Sequence, residues 1–313
     1  MPNTTHTFPV IVALLGCVFF STATARAADF SLRFYGTGTG DIDRVKIPSD
    51  GAANPLNIGN GDFTIEFWLK AFLSNNTGSV AGGGDTWTTG NIIIDRDIFG
   101  NGDFGDFGIS LGNGRVAFGV HNGSSGTTIL ASNNVADGIW HHIAVTRSFS
   151  GAMGVFVDGT QDVYLASGPA GNISYNTGRS TSWPNDSYLV IGAEKHDYNS
   201  SQYPSFNGWL DELRISTNIR YSTNFSRPTH YFVPDQYSVG LFPFNEGTGT
   251  IVSNHASSSP THGLRMVAPN PERPAYVTDV PPLIPEPAAA LLPLACLIAC
   301  SRFTRNLSSL LRL

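Results

Sequence analysis

The 313-residue chain is 41% hydrophobic but only 13% charged, with 34 glycines and 20 phenylalanines, the composition of a turn-rich β protein able to bury a core. Its net charge of −6 argues against nucleic acid and anionic lipid as partners, because both are bound through clustered Lys and Arg. The middle is more acidic still, since Arg26, Arg302, Arg305 and Arg312 lie in the two ends.

Residues 1–27 read as a secretory signal peptide. An apolar run from Val10 to Phe20, too short to span a bilayer, precedes small residues at Ala25 and Ala27 that suit cleavage before Ala28. Only the terminal amine and His6 precede that run where a basic region is usual, and Leu14-Leu15-Gly16-Cys17 also fits a lipoprotein site, although Val-Phe-Phe follows the cysteine. Cys296 and Cys300 lie near the other end, so residues 28–253, the expected folded domain, do without disulfides.

Within that domain, short strands alternate with Gly-, Ser- and Asn-rich turns. Phe30 to Tyr35 and Arg44 to Pro48 read as strands around the loop Gly36-Thr-Gly-Thr-Gly40. From Asp62 to Ala71, Phe63, Ile65, Phe67 and Leu69 fall on one face, which must be core, while Thr64, Glu66, Trp68 and Lys70 fall on the other. Strands are also predicted at residues 91–95, at 107–111 and 115–120 around Gly112-Asn113-Gly114, at 127–131, at 162–166 and at 188–192. Asp137 to Gly159 forms a hairpin in which Trp140, His142, Ala144 and Thr146 share one face and His141, Ile143, Val145 and Arg147 the other. A strand at 206–216, a wrap at 218–236 and a strand near 237–243 complete the series. No long helix and no repeat of fixed period is apparent, and the pattern leads to an all-β sandwich of two sheets and about a dozen strands. Residues 254–284 turn Ser- and Pro-rich, the composition of a semi-extended spacer.

The hairpin Trp-His-His-Ile-Ala-Val-Thr-Arg (140–147) with Val-Phe-Val-Asp-Gly (155–159), the strand opening Gly-Asp-Phe-Thr (61–64) and Gly-Trp-Leu-Asp-Glu-Leu-Arg-Ile (208–215) stand in the order found in a known family. The chain resembles the laminin-G-like, concanavalin A-like lectin-glucanase jelly rolls over about Phe30 to Ile251. That resemblance implies an antiparallel jelly roll and a binding role. At the C-terminus, Pro285-Glu286-Pro287, the apolar run Ala288 to Cys300 and the basic Arg302 and Arg305 resemble a PEP-CTERM sorting signal over 285–313. It implies an exosortase-type processing enzyme and a membrane partner; an ordinary tail anchor is the alternative. The run rises only about 20 Å against a hydrocarbon core of roughly 30 Å, and Pro293 interrupts it.

Candidate site residues follow from chemistry. Asp95, Asp97, Asp103 and Asp106 lie in a Gly-rich loop and offer the hard oxygens Ca²⁺ takes, although the EF-hand spacing fails and turn formation explains them as well. The resemblance adds Asp43 and Asp211 as calcium ligands. Trp87, Trp183, Tyr198 and Tyr203 sit in polar loops where exposed rings can stack on sugars, or fold back as lids on the core. Trp68, Trp140 and Trp209 are expected in the core. His141 and His142, on opposite faces, cannot chelate one ion; one ring is expected in the core and one at the surface. No Glu-x-Asp-x-Glu triplet of the laminarinase-like glycosidases and no nucleophile elbow exists, so no enzyme is expected. The sequence thus predicts an exported, non-catalytic carbohydrate-binding or adhesion module of the bacterial envelope or matrix, with an extracellular polysaccharide or surface glycoprotein as partner. The alternatives are a structural matrix protein without specific ligand and a glycoside hydrolase with an unrecognised site.

Overall fold

The computed structural model describes residues 29–98, 105–175, 185–256, 259, 261–269 and 272–283. In β3 (Phe63–Phe72), the side chains of Phe63, Ile65, Phe67 and Leu69 all enter the main core, as their alternation requires. Each contributes about 1.5 to 3 kcal/mol by leaving water. β3 pairs antiparallel with β8 (Asp137–Arg147) on one side and with β12 (Asn207–Ser216) on the other, at the middle of the first sheet. β9 (Met153–Val157) and β10 (Thr160–Leu165) extend this sheet beyond β8. The far edge of β12 is shared in tandem, its first half pairing with β1 (Ser31–Tyr35) and its second half with β13 (Ser238–Phe242).

The second sheet runs in the order β14 (Ile251–Val252), β15 (Gly263–Met266), β2 (Arg44–Pro48), β11 (Tyr188–Ile191), β4 (Asn91–Asp95), β5 (Asp106–Gly112), β6 (Arg115–His121) and β7 (Gly126–Asn134). With β16 (Ala275–Val277) beside β1, each sheet holds eight antiparallel strands, and the two enclose the core as a jelly-roll-type sandwich. The count exceeds the expected dozen because residues 251–277, read mostly as spacer, supply three short strands. β15 pairs with β2 and β16 with β1, so the Ser- and Pro-rich composition of 254–284 marks tight turns between edge strands rather than an extended linker. Asp279 then holds the chain on the first sheet, accepting hydrogen bonds from Trp140 Nε1 at 3.0 Å and Lys70 Nζ at 2.6 Å.

The outward faces of both sheets are covered as well. Residues 217–237 cross the outside of the first sheet, where Tyr221 and Phe225 stack at 3.6 Å and Phe225 and Phe232 pack edge-on to His142. Beneath them Thr64, Glu66 and Trp68 are buried although their alternation turns them away from the core. Glu66 accepts hydrogen bonds from Tyr221 at 2.8 Å and Arg214 at 2.8 Å, and it also faces His142 Nε2 at 3.1 Å and Arg220 Nε at 3.7 Å. Of the two histidines, the outward ring, His142, is the fully enclosed one. His141 on the inner side sits at the sheet's rim between Asp158, at 2.7 Å, and Asp137, at 3.1 Å. Trp209 is half-buried rather than core, its indole lying between the cations of Arg33, at 4.1 Å, and Lys70, at 5.2 Å.

On the outside of the second sheet, the loop before β4 lays Trp87 over Gly108 and Gly119, which are paired across β5 and β6. A Cβ at either glycine would collide with the indole, so the missing side chains make the slot. Trp87 is 1% exposed and packs with Val80, Ile92 and Ala117. It is a core lid and offers no face for stacking, which removes it from the expected sugar platform. At the side of the sandwich, Asp162 of edge strand β10 accepts the backbone N–H groups of Ser132 at 2.7 Å and Asn133 at 2.9 Å in β7, the edge of the other sheet. Among the described residues no helix is long and apolar enough to cross a membrane.

Trp87→Ala is expected to lower unfolding stability by about 3 to 5 kcal/mol by opening a cavity over the second sheet, and Gly119→Ala by about 1 to 3 kcal/mol by overpacking it. Urea denaturation followed by fluorescence checks both. A Trp87→Ala loss under about 0.5 kcal/mol would mean the ring is not a structural lid.

Candidate functional site

β4 ends at Asp95, where the chain leaving β11 folds back along it. Ile92 donates its N–H to the Pro204 carbonyl at 2.8 Å and Asn91 Nδ2 donates to Ser205 O at 2.9 Å, so residues 198–205 are tied to the start of β4. Between them lies a cavity of about 330 Å³ whose polar lining is Asp95, Asp97, Glu194 and His196. Tyr198 and Tyr203 line the same cavity, their ring centroids 6.0 Å apart at 49°, with Thr88 and Ile92 completing it. Tyr198 is 62% exposed, whereas Tyr203 packs partly against the cluster around Trp87. The apolar cluster that holds the buried tryptophan therefore also backs one ring of the site.

The acids shape the loops that carry them. Asp95 accepts the N–H groups of Asp97 at 2.8 Å and Lys195 at 2.9 Å, and Glu194 accepts those of His196 at 2.8 Å and Tyr198 at 2.9 Å. His196 reaches Asp186 at 2.6 Å through Nε2 and Glu194 at 3.2 Å through Nδ1, with Asp97 at 3.6 Å. Although burial opposes it, these acidic partners push His196 up to about 9, so it is cationic at neutral pH. Burial together with the charge of Asp97 raises Asp95 to about 7 and Asp106 to about 8. Burial likewise raises Asp97, while in Glu194 the bonds from His196 and Tyr198 outweigh burial and lower it. The fully buried Lys195 falls to about 8 through burial and the nearby Arg96, its Nζ donating to the carbonyls of Asp186 and Tyr188.

A second cavity, of about 430 Å³, adjoins the other side of the 198–205 loop. Its lining is neutral and includes Thr39, Asn75, Thr77, Ser200 and Asn207.

Four of the expected residues are thus brought together: Asp95 and Asp97 with Tyr198 and Tyr203. Asp106 stands one strand away, its Oδ1 accepting the N–H of Ile98 at 2.9 Å. Asp43 is spent on the β1–β2 loop, accepting from the N–H groups of Tyr35 and Thr37, and Asp211 accepts the N–H of Glu212 at a bulge in β12. Asp103, Trp183 and the Pro285-Glu286-Pro287 triplet lie outside the described residues. Among the described residues no three acidic, His or Cys side chains are grouped to hold a metal ion. Of the carboxylates expected for calcium, Asp43, Asp95, Asp106 and Asp211 instead accept backbone N–H groups, and cationic His196 stands beside Asp97 at 3.6 Å, so these oxygens are already engaged within the chain. Glu194 and His196 were not singled out from sequence. Their signal was Glu194-Lys195-His196-Asp197, four ionisable residues directly after an apolar strand.

Residues 39–222, more than half of the chain, match the family model described as the concanavalin A-like lectin/glucanases superfamily. No curated protein matches the chain. Among solved structures it is similar to a Bacteroides ovatus protein provisionally described as carbohydrate binding, at 11% identity and TM-score 0.49, over 76% of this chain and 58% of that one. It is also similar to the heptameric SAP-like pentraxin of Limulus polyphemus, at 16% identity and TM-score 0.40, over 62% of this chain and 78% of that one. Domains LG4-5 of the mouse laminin alpha1 chain match at 15% identity and TM-score 0.42, over 72% of this chain and 52% of that one. The chain thus spans little more than half the length of the first and third.

Between pH 3.8 and about 7 to 8 the folded chain keeps protons on Asp95 and Asp106 that the unfolded chain releases, so these groups make stability fall as pH rises. His196 acts in the same sense between 6.5 and about 9. The lowered carboxylates, such as Glu66 and Asp158, act in the opposite sense only at or below 4.5, outside this window. The urea midpoint is therefore expected to be higher at pH 5 than at pH 8. Asp106→Asn should flatten that slope and leave the variant more stable than the parent at pH 8; an unchanged slope would remove Asp106 as a source.

Proposed function

The chain belongs to the concanavalin A-like lectin/glucanases superfamily, and within it we propose that this protein is an exported, non-catalytic glycan-binding or adhesion module whose site is the Tyr198–Tyr203 cavity. The observation that carries this reading is the exposed Tyr198 ring at the mouth of a cavity lined by hydrogen-bonding groups. An aromatic face takes the apolar side of a pyranose ring, and fixed acceptors take its hydroxyls. Binding is favoured over hydrolysis because Asp95 and Glu194 each accept two backbone N–H groups, which leaves Asp97 as the one carboxyl of the cavity not held in this way, whereas glycoside hydrolysis ordinarily uses a pair. General acid and base work requires an oxygen in reach of the proton it transfers. Calcium, expected from sequence, has no part in the proposed site.

The test is a polysaccharide and glycoprotein array probed with the full-length protein. Tyr198→Ala should weaken binding to a responsive glycan by roughly tenfold, as for an aromatic anchor, yet leave the melting temperature nearly unchanged because the ring is exposed. No binding across the array would favour the structural-matrix alternative, and new reducing ends on the bound glycan would replace binding by hydrolysis.

Export and sorting rest on residues 1–27 and 285–313, outside the described residues. Intact-mass analysis of protein recovered from the producing cell should show both segments removed. Mature protein ending at Leu313 would reject processing at Pro285-Glu286-Pro287.

A further inference from the structure

The two cavities at the 198–205 loop have different chemistry. They are separated by a single ridge, the parallel bridge between Ile92 and Ser205. Ile92 and Tyr203 line the acidic cavity, while their chain neighbours Asn91 and Pro204 line the neutral one, so the two abut across one residue step of about 3.3 Å. The neutral cavity has open hydrogen-bonding capacity. Among the described residues, the side chains of Thr39, Asn75, Thr77 and Ser200 make no bond across it, and all four are exposed. Gly36 and Gly38 form part of its wall, and a Cβ at Gly38 would meet the Ala193 methyl, so this stretch of wall is packed closely against the chain behind it. Hydroxyls and amides of this kind, with no charge among them, suit a neutral, hydroxyl-rich ring.

The acidic cavity offers something else. Asp97 and Glu194 set carboxyl groups on its wall, Glu194 held ionised by its bonds from His196 and Tyr198, Tyr198 and Tyr203 offer ring faces that attract cations, and His196, its cationic member, is engaged by Asp186 and Glu194. A uronate placed there would meet like charge, whereas an ammonium group would meet both carboxylates and aromatic faces.

We infer that the two cavities are consecutive subsites of one groove, and that its ligand is an oligosaccharide in which an amine-bearing sugar sits against Tyr198, Asp97 and Glu194 while a neutral neighbour occupies the Asn75–Thr77 side. This rests on the glycan-binding reading and narrows it to a ligand class. A linear polymer of partly deacetylated hexosamines has that composition.

The experiment measures full-length protein by calorimetry against three probes of equal length: a deacetylated glucosamine oligomer, its fully N-acetylated counterpart and a uronic acid oligomer, with glucosamine monomer as a fourth. The deacetylated oligomer should bind on the order of tenfold tighter than the acetylated one, the uronate weakest, and added salt should shrink that difference. The oligomer should also exceed the monomer by at least about tenfold, because linked groups share one association cost. Asp97→Asn, checked for an unchanged melting temperature, should weaken the deacetylated oligomer by a larger factor than the acetylated one, so that the amine preference shrinks. Asn75→Ala should weaken both oligomers alike. Equal binding of amine and acetylated oligomers, or a uronate that binds best, overturns the acidic subsite while leaving glycan binding intact. Equal binding of monomer and oligomer overturns the two-subsite groove. Failure of every glycan, here and on the array, overturns the functional reading itself and this inference with it.

Discussion

Glu66 is the interaction on which the first sheet's second layer depends. A carboxylate on the outward side of a central strand is ordinarily solvated, and burying it without partners would push it toward its neutral form. Here burial does oppose the charge, but the bond to His142, the charge of Arg214 and the Tyr221 hydroxyl outweigh it and hold the group below its usual range. Those partners come from β8, β12 and the covering segment, so one side chain joins three strands' worth of sheet to the 217–237 crossing. Removing any one partner leaves a charge in a dry place, which is why this layer is held together cooperatively rather than by summed contacts.

The inner face of the sandwich was legible because it obeys a local rule. Phe63, Ile65, Phe67 and Leu69 had to face the core whatever else the chain did, and they do. The outer face was not legible, because its burial depends on segments distant in sequence that happen to lie over it. Nothing near Trp68 announces that residues 217–237 will cover it, and nothing near Trp87 announces that Gly108 and Gly119 will pair to make room. Composition misled at 254–284 for a related reason, since turns between very short edge strands use the same Ser and Pro as a linker. At the site, Tyr198 and Tyr203 could be picked out as loop aromatics. Their meeting with Asp95 and Asp97 is set by the return of the chain along β4, a tertiary fact.

The chain has no cysteine between residues 29 and 283, and its loops are instead stapled by carboxylates that accept backbone N–H groups. Asp43 closes the β1–β2 loop, Asp95 and Glu194 shape the cavity walls, and Asp235 gathers the N–H groups of Tyr237 and Ser238 while pairing with Arg220. Each such bond is worth more than a neutral one because its acceptor is charged. The arrangement fits a binding surface built on loops, where geometry has to be set before the ligand arrives.

Asp162 has a meaning for the molecule's life among its own copies. The outermost strands of a sandwich present rows of unused N–H and C=O groups, and a neighbouring chain can extend the sheet through them. By reaching from β10 to the N–H groups of Ser132 and Asn133, where the β6–β7 register shifts, Asp162 blunts the rims of both sheets at once and sets a carboxylate where a foreign strand would have to dock. At this side of the sandwich, crowding at a surface would favour contacts through side chains over backbone polymerisation. Copies brought close together on this side can then remain separate folded units.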